Sequence, residues 1–250
     1  MKIHLSSALC LSLALAATAV AQETSLNRSE VAALKNKLVA VQTAMGADPA
    51  GYLKDSEDFN LPTDFNPAQG GKFWPISSSI SLRYTDRAST EGKAIAEQAA
   101  EAFQAKYAAA IASGNFEAIT SLTAEMTRLQ TAAMTPAVKK EPMNVYVQFN
   151  MNPSVGIDPD AIVLERPGVI VLRDKEVSSE KGSVTVYIDP VALRATEELS
   201  KIELRTAQDG VTNRTGLYHI VIQLSGAVAD AEAWVKTFDL PAMLAVFDPR

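Results

Sequence analysis

The chain has 250 residues, 47% of them hydrophobic, with 23 Lys and Arg against 29 Asp and Glu, a net charge of −6. That balance argues against nonspecific nucleic-acid binding and against tight electrostatic docking on anionic lipid, both of which need basic surface. Its single cysteine and two histidines leave little for thiolate or histidine-rich metal chemistry.

Residues 1–21 read as a secretory leader. Lys2 gives a positive start, residues 5–17 form a short apolar run, and Ala19-Val20-Ala21 places small residues before a cleavage site ahead of Gln22. The run is short for a membrane span, and no basic stop-transfer group follows. Cys10 lies too early, behind bulky Leu9, to be a lipidated residue. Cleavage removes Cys10, His4 and Lys2, leaving 22 basic against 29 acidic residues and a net charge of −7. A disulfide-free exported chain fits a bacterial periplasm or a secreted location.

Asn27 and Glu30 form a capping-box pattern, and Val31, Leu34, Leu38, Val41 and Met45 step by three and four, which predicts a helix over 27–45 closed by Gly46. Residues 46–76 follow as a Pro/Gly-rich strap carrying Tyr52, Phe59, Phe65, Phe73 and Trp74. Its rings either plug gaps between helices and sheet or form an aromatic lip for a sugar, peptide or lipid fragment. Gly70-Gly71-Lys72 lacks the spacing of a phosphate loop. Residues 77–84 read as a strand.

Residues 89–134 are the centre of the N-terminal half and read as a helical hairpin. Asp86 or Ser89 caps the first helix, Gly114 suits its left-handed end, and Asn115 caps the second. Phe103, Ala110 and Ile111, then Phe116, Ile119, Leu122 and Met126, give each helix an apolar stripe. The stripe predicts a core hairpin packed with the first helix into a three-helix cluster, or a docking surface for a partner helix. Thr135-Pro136 ends it, and the polar link at 135–142 is the expected boundary between a helical region (22–135) and a sheet region (143–250).

The second half alternates as sheet. Strands are expected near 145–151, 161–164, 169–172, 183–188 and 217–224, with a turn at Arg166-Pro167-Gly168. Asp189-Pro190 predicts a helix running to about Ile202, and 228–238 and 242–247 predict two short helices. The fold class is therefore α+β: an antiparallel or mixed sheet backed by C-terminal helices, with the helical hairpin and first helix beside it.

No catalytic motif stands out. His219 alternates with apolar neighbours on a strand, which places it on a half-covered sheet face, and it has no nucleophile elbow to serve. Ser178-Ser179-Glu180-Lys181 has Ser-x-x-Lys spacing without its companion motifs. Asp158, Asp160, Glu165, Asp174, Glu176 and Asp189 read as turn carboxylates, and neither they nor Asp55, Glu57 and Asp58 form a calcium loop. No cofactor and no metal are expected. The expected function is an exported, noncatalytic envelope protein that binds or supports a protein partner or small ligand. The alternative is a carboxylate-dependent hydrolase of cell-wall or glycan material, which needs two carboxylates in one cleft.

Overall fold

A computed structural model describes residues 25–65, 75–134, 140–151, 154–174, 182–205 and 213–248. The leader at 1–21, Phe73, Trp74, Glu176 and the Ser-x-x-Lys match at 178–181 lie outside the described residues.

The fold is α+β. Nine strands are described: β1 (Tyr52–Asn60), β2 (Ser78–Asp86), β3 (Met143–Phe149), β4 (Ser154–Gly156), β5 (Ile162–Arg166), β6 (Val169–Arg173), β7 (Gly182–Ile188), β8 (Lys201–Glu203) and β9 (Ile220–Gly226). Seven form one antiparallel sheet in the order β1-β2-β3-β9-β7-β6-β5, and β4 pairs with β8 in a separate ribbon. The helices are α1 (Arg28–Ala44), α2 (Arg87–Ala112), α3 (Phe116–Met134), α4 (Val228–Val235) and α5 (Leu240–Ala245). No helix among the described residues is long and apolar enough to cross a membrane.

The alternation of β3 decides the sheet's two faces, because successive side chains in a strand point to opposite sides. Met143, Val145, Val147 and Phe149 point one way; the last three pair with Leu224, Ile222 and Ile220 of β9, which in turn pair with Val184, Val186 and Ile188 of β7. All of these are buried, together with Leu38, Val41, Ala231, Trp234 and Met243 from the covering helices. The capping box of Asn27 and Glu30 starts α1 as its sequence predicts. Trp234 fastens the helical layer: it sits edge-on between Tyr84 and Phe238, with centroids 5.2 and 5.3 Å away, and donates Nε1–H to the carbonyl of Ala47 at 2.9 Å.

The opposite face is divided. On β6, β7 and β9, Ile170, Leu172, Tyr187 and Val221 are covered by Leu193, Ile202 and Leu204. On β1, β2 and β3 the same face is polar and open, with Ser56, Asp58, Ser81, Arg83 and Asn144 exposed.

Three expectations need correction. Residues 46–76 are not wholly irregular: Tyr52–Asn60 is an edge strand, antiparallel to β2, with a bulge between Lys54 and Ser56. Its sequence, rich in Lys, Asp and Glu, hid it because those residues are rare in strands. An edge strand needs few apolar anchors, and Tyr52 and Phe59 supply them, while its charges discourage edge-to-edge pairing. Second, the helix expected from Asp189 to Ile202 does not form. Asp189 accepts from the amides of Val191 and Ala192 as a cap would, but turns follow, and Ile202 ends in β8. Burying Leu193 and Ile202 over the sheet outweighs the weak local preference for helix. Third, α1 packs on the sheet and α5 rather than building a cluster with the hairpin: its buried Leu38, Val41 and Ala44 all belong to the sheet core. Strands from before the link at 135–142, β1 and β2, share one sheet with strands after it.

The buried face and the exposed hairpin should respond oppositely to truncation. Phe149→Ala, at a fully buried position, is expected to cost about 3–5 kcal/mol in denaturant unfolding. Phe116→Ala, at an exposed one, is expected to change stability by less than about 0.5 kcal/mol.

Candidate functional site

The hairpin stands where a turn would suffice. β2 and β3 are antiparallel neighbours, with Tyr84 opposite Met143, a pairing that two residues can close. The chain instead runs through residues 87–142. Asp86 caps α2, its carboxylate accepting from the amide and hydroxyl of Ser89 at 3.1 and 2.7 Å. The 26 residues of α2 reach about 39 Å at the usual helical rise. Gly114, at φ +65°, makes the reversal, and Asn115 Oδ1 caps α3 by accepting from the amide of Ala118 at 3.0 Å.

α2 and α3 pack on each other and contribute little to the core. Among their described side chains only Ala110 is buried, and none belongs to the sheet's core cluster. Phe103 and Tyr107 stack at 5.4 Å along the inner seam, and Ile119, Leu122 and Met126 are half-buried. At the turn Phe116 is 79% exposed and Ile111 56% exposed. Residues 107–124 carry one charge, Glu117. The hairpin tip is therefore rich in apolar side chains, carries Glu117 as its one charge and lies far from the base of the hairpin.

The expected aromatic lip divides as follows. Tyr52 is fully buried, donates its hydroxyl to Asp230 at 3.0 Å and lies under Lys140 Nζ at 4.9 Å. Burial, then the Asp230 carboxylate, pushes its hydroxyl above the ordinary tyrosine range. Phe59 is half-buried beneath Lys35 at 4.9 Å. Phe65 is buried beneath Arg214 at 4.7 Å, in a small cluster with Leu34 and Ile76. Tyr52 belongs to the sheet core, Phe59 packs against it, and Phe65 belongs to the small cluster beside it.

His219 is 1% exposed, not half-covered as the alternation of its strand implies. The Arg205 backbone and the Asp189 carboxylate lie close to it, and no local pattern in the sequence announces those neighbours. His219 stands one residue outside the last β7–β9 pair, Ile188 with Ile220. Asp189 is fully buried and paired: its carboxylate accepts from Arg205 Nε at 2.7 Å and from the Arg205 amide at 3.0 Å, while Arg205 Nη2 donates to the Tyr218 carbonyl at 2.6 Å. Asn150, at φ +56°, fixes the same segment by accepting from the Tyr218 amide and donating to the carbonyls of Ile76 and Gly216. Neither ring nitrogen of His219 makes a well-formed hydrogen bond, although the Arg205 backbone lies close. Burial dominates and pulls its pKa down to about 4, opposed by the nearby Asp189 carboxylate.

Four of the other carboxylates serve local structure, whereas Glu165 has a buried oxygen with no hydrogen-bond partner among the described residues. Asp158 accepts from the amide of Asp160, Asp174 from the hydroxyl of Ser183 at 3.4 Å, and Glu57 from Lys54 and Gln42. Asp55 pairs with Arg83 at 3.7 Å. Asp158 and Asp174 do line one depression beside the β4–β8 ribbon. Among the described residues, no three His, Cys, Asp or Glu side chains converge as a metal site. Comparison with protein-family models, curated proteins and solved structures finds no match to this chain.

His219 sets a pH dependence. An unfolded histidine titrates near 6.5, and in the fold His219 titrates near 4. Between those values the unfolded chain holds the extra proton, so stability is full above about pH 6.5 and falls as pH drops toward 4, by about 3 kcal/mol in total. His219→Leu removes two unpaired polar atoms at similar volume. It is expected to flatten that window in urea titrations at graded pH while holding stability at pH 7.5 within about 1.5 kcal/mol. A His219→Leu profile as steep as the wild type would contradict the assignment.

Proposed function

We propose that the chain is an exported, noncatalytic envelope protein, periplasmic or secreted, that holds a protein partner through the tip of its helical hairpin. One observation carries the reading: a long hairpin is inserted between adjacent antiparallel strands that a short turn could join, and its described side chains give the core almost nothing. Exposed Phe116 and Ile111 at a tip with one charge, Glu117, supply the aromatic and aliphatic anchors that dominate protein interfaces. A solvated helix without a docking role would carry charge on its outer faces; residues 107–124 carry one. The leader pattern at 1–21 supports export. The noncatalytic reading draws support from Asp189 and Asp158, whose carboxylates are committed to Arg205 and to a turn amide.

Photocrosslinking from a reactive residue introduced at Thr120, in intact cells, is expected to trap one defined protein. The combined change Ile111→Asp and Phe116→Asp is expected to lower that capture at least about tenfold, the effect of losing one interface hot spot, with the thermal midpoint unchanged. Recovery of monomer alone, from probes at several tip positions, would overturn the proposal.

A further inference from the structure

The polar face of the sheet forms a second site, separate from the hairpin. Three adjoining depressions of ≈400, ≈400 and ≈370 Å³ lie on it. Gln223 lines all three, Asn144 and Ser225 line the first two, and Ser183 and Asp174 line the last two. They are one trough, running across the strands from Ser56 on β1 to Thr185 on β7. Crossing the four gaps between these five strands takes about 19 Å at the usual strand spacing. The β4–β8 ribbon stands along one end, where Val155, Gly156 and Asp158 form its wall.

The lining is unlike an ordinary solvated sheet face. Along β1, β2, β3, β9 and β7 that face carries neither Lys nor Glu. Charged groups line the trough at intervals, Asp58, Glu141, Asp158 and Asp174 with Arg83 and Arg173. Short hydroxyl and carboxamide side chains fill the rest: Ser56, Ser81, Asn144, Gln223, Ser225 and Thr185. Short side chains hollow the face, whereas long ones would fill it. Each of these groups both donates and accepts hydrogen bonds. Tyr146 adds a half-buried ring, held by a hydrogen bond from the Ser79 hydroxyl to its own at 3.2 Å.

We propose that this trough binds a linear, neutral, β-linked glycan chain. The lining chemistry selects among ligands. Neutral groups that donate and accept match the paired hydroxyls of a sugar chain, and the Tyr146 ring can lie against the apolar face of one unit. The spacing of strands beneath the trough is close to the length of one linked hexose, so successive sugars meet successive strands. A lipid would need the apolar walls typical of small-molecule pockets, and none line the first two depressions beyond Leu82, Val145 and Pro142. A polyanion would need clustered cations; the trough has two, Arg83 paired with Asp55 and Arg173 paired with Glu232, among four lining carboxylates. An extended peptide gains affinity by pairing with a strand edge, whereas this trough crosses strands and offers no edge.

Titration of the whole leader-processed protein with cellohexaose and with chitohexaose, by calorimetry and by amide chemical shifts, tests the site. Saturable binding of at least one is expected, with shifts at Asn144, Tyr146 and Gln223 and none at the hairpin tip. The double variant Asn144→Ala/Gln223→Ala changes two exposed residues, so its thermal midpoint should hold while affinity falls at least about tenfold. No saturation with either oligosaccharide, unchanged affinity in the double variant, or binding of polygalacturonate in preference to both would overturn the proposal. Cleavage of a bound probe would uphold the glycan site and overturn the noncatalytic reading of the protein, and loss of hairpin crosslinking would leave the glycan site untouched.

Discussion

The ladder joining β3 to β9 is the interaction on which this fold depends. Six residue pairs, from Asn144 with Ser225 to Phe149 with Ile220, set the register. A shift by one residue would send Val145, Val147 and Phe149 to the polar side and Asn144, Tyr146 and Gln148 into the core. Because the register is fixed there, Val184, Val186 and Ile188 fall on the helix-covered face and Ser183, Thr185 and Tyr187 on the other. The core, the trough and the position of His219, one residue outside the last β7–β9 pair, all follow from that one alignment. The helices then cover what the ladder exposes, with Trp234 binding α4 to the end of α1 through the Ala47 carbonyl.

What could be read from the chain was what local chemistry decides. The capping box at Asn27 and Glu30, the glycine reversal at Gly114, the Asn115 cap and the alternation of β3 and β7 each need only a few neighbouring residues. What could not be read was decided at a distance. Tyr52–Asn60 is a strand because β2 is available to pair with it, not because its Lys, Asp and Glu favour strands. Residues 190–202 lose a helix that Asp189 begins, because Leu193 and Ile202 bury over the sheet as an irregular cover. His219 looked half-exposed because strand alternation reports one sheet face and is silent about the Arg205 backbone and the Asp189 carboxylate that lie close to it.

The two candidate surfaces were legible to different degrees. The hairpin's existence was plain from its stripes, but whether they face the protein or the solvent depends on where β2 and β3 place its base. The trough was invisible as a unit: Ser56, Ser81, Asn144 and Gln223 are scattered through the chain, and the sheet order alone brings them together. The hairpin tip and the polar trough are compatible on one protein, since they occupy separate surfaces.

The hairpin's independence from the core is the claim on which the functional account stands, and excising the hairpin tests it directly. Residues 88–139 would be replaced by a short Gly/Ser linker joining β2 to the pinned Lys140, whose ammonium already bonds Asp230 and the Ala50 carbonyl. Thermal unfolding of the shortened chain should remain cooperative, with a midpoint within about 4 °C of the full-length value, the equivalent of about 1 kcal/mol or a little more. Loss of cooperative unfolding, or a fall of more than about 10 °C, would show that the hairpin holds the fold together and would remove the reason for assigning it to a partner.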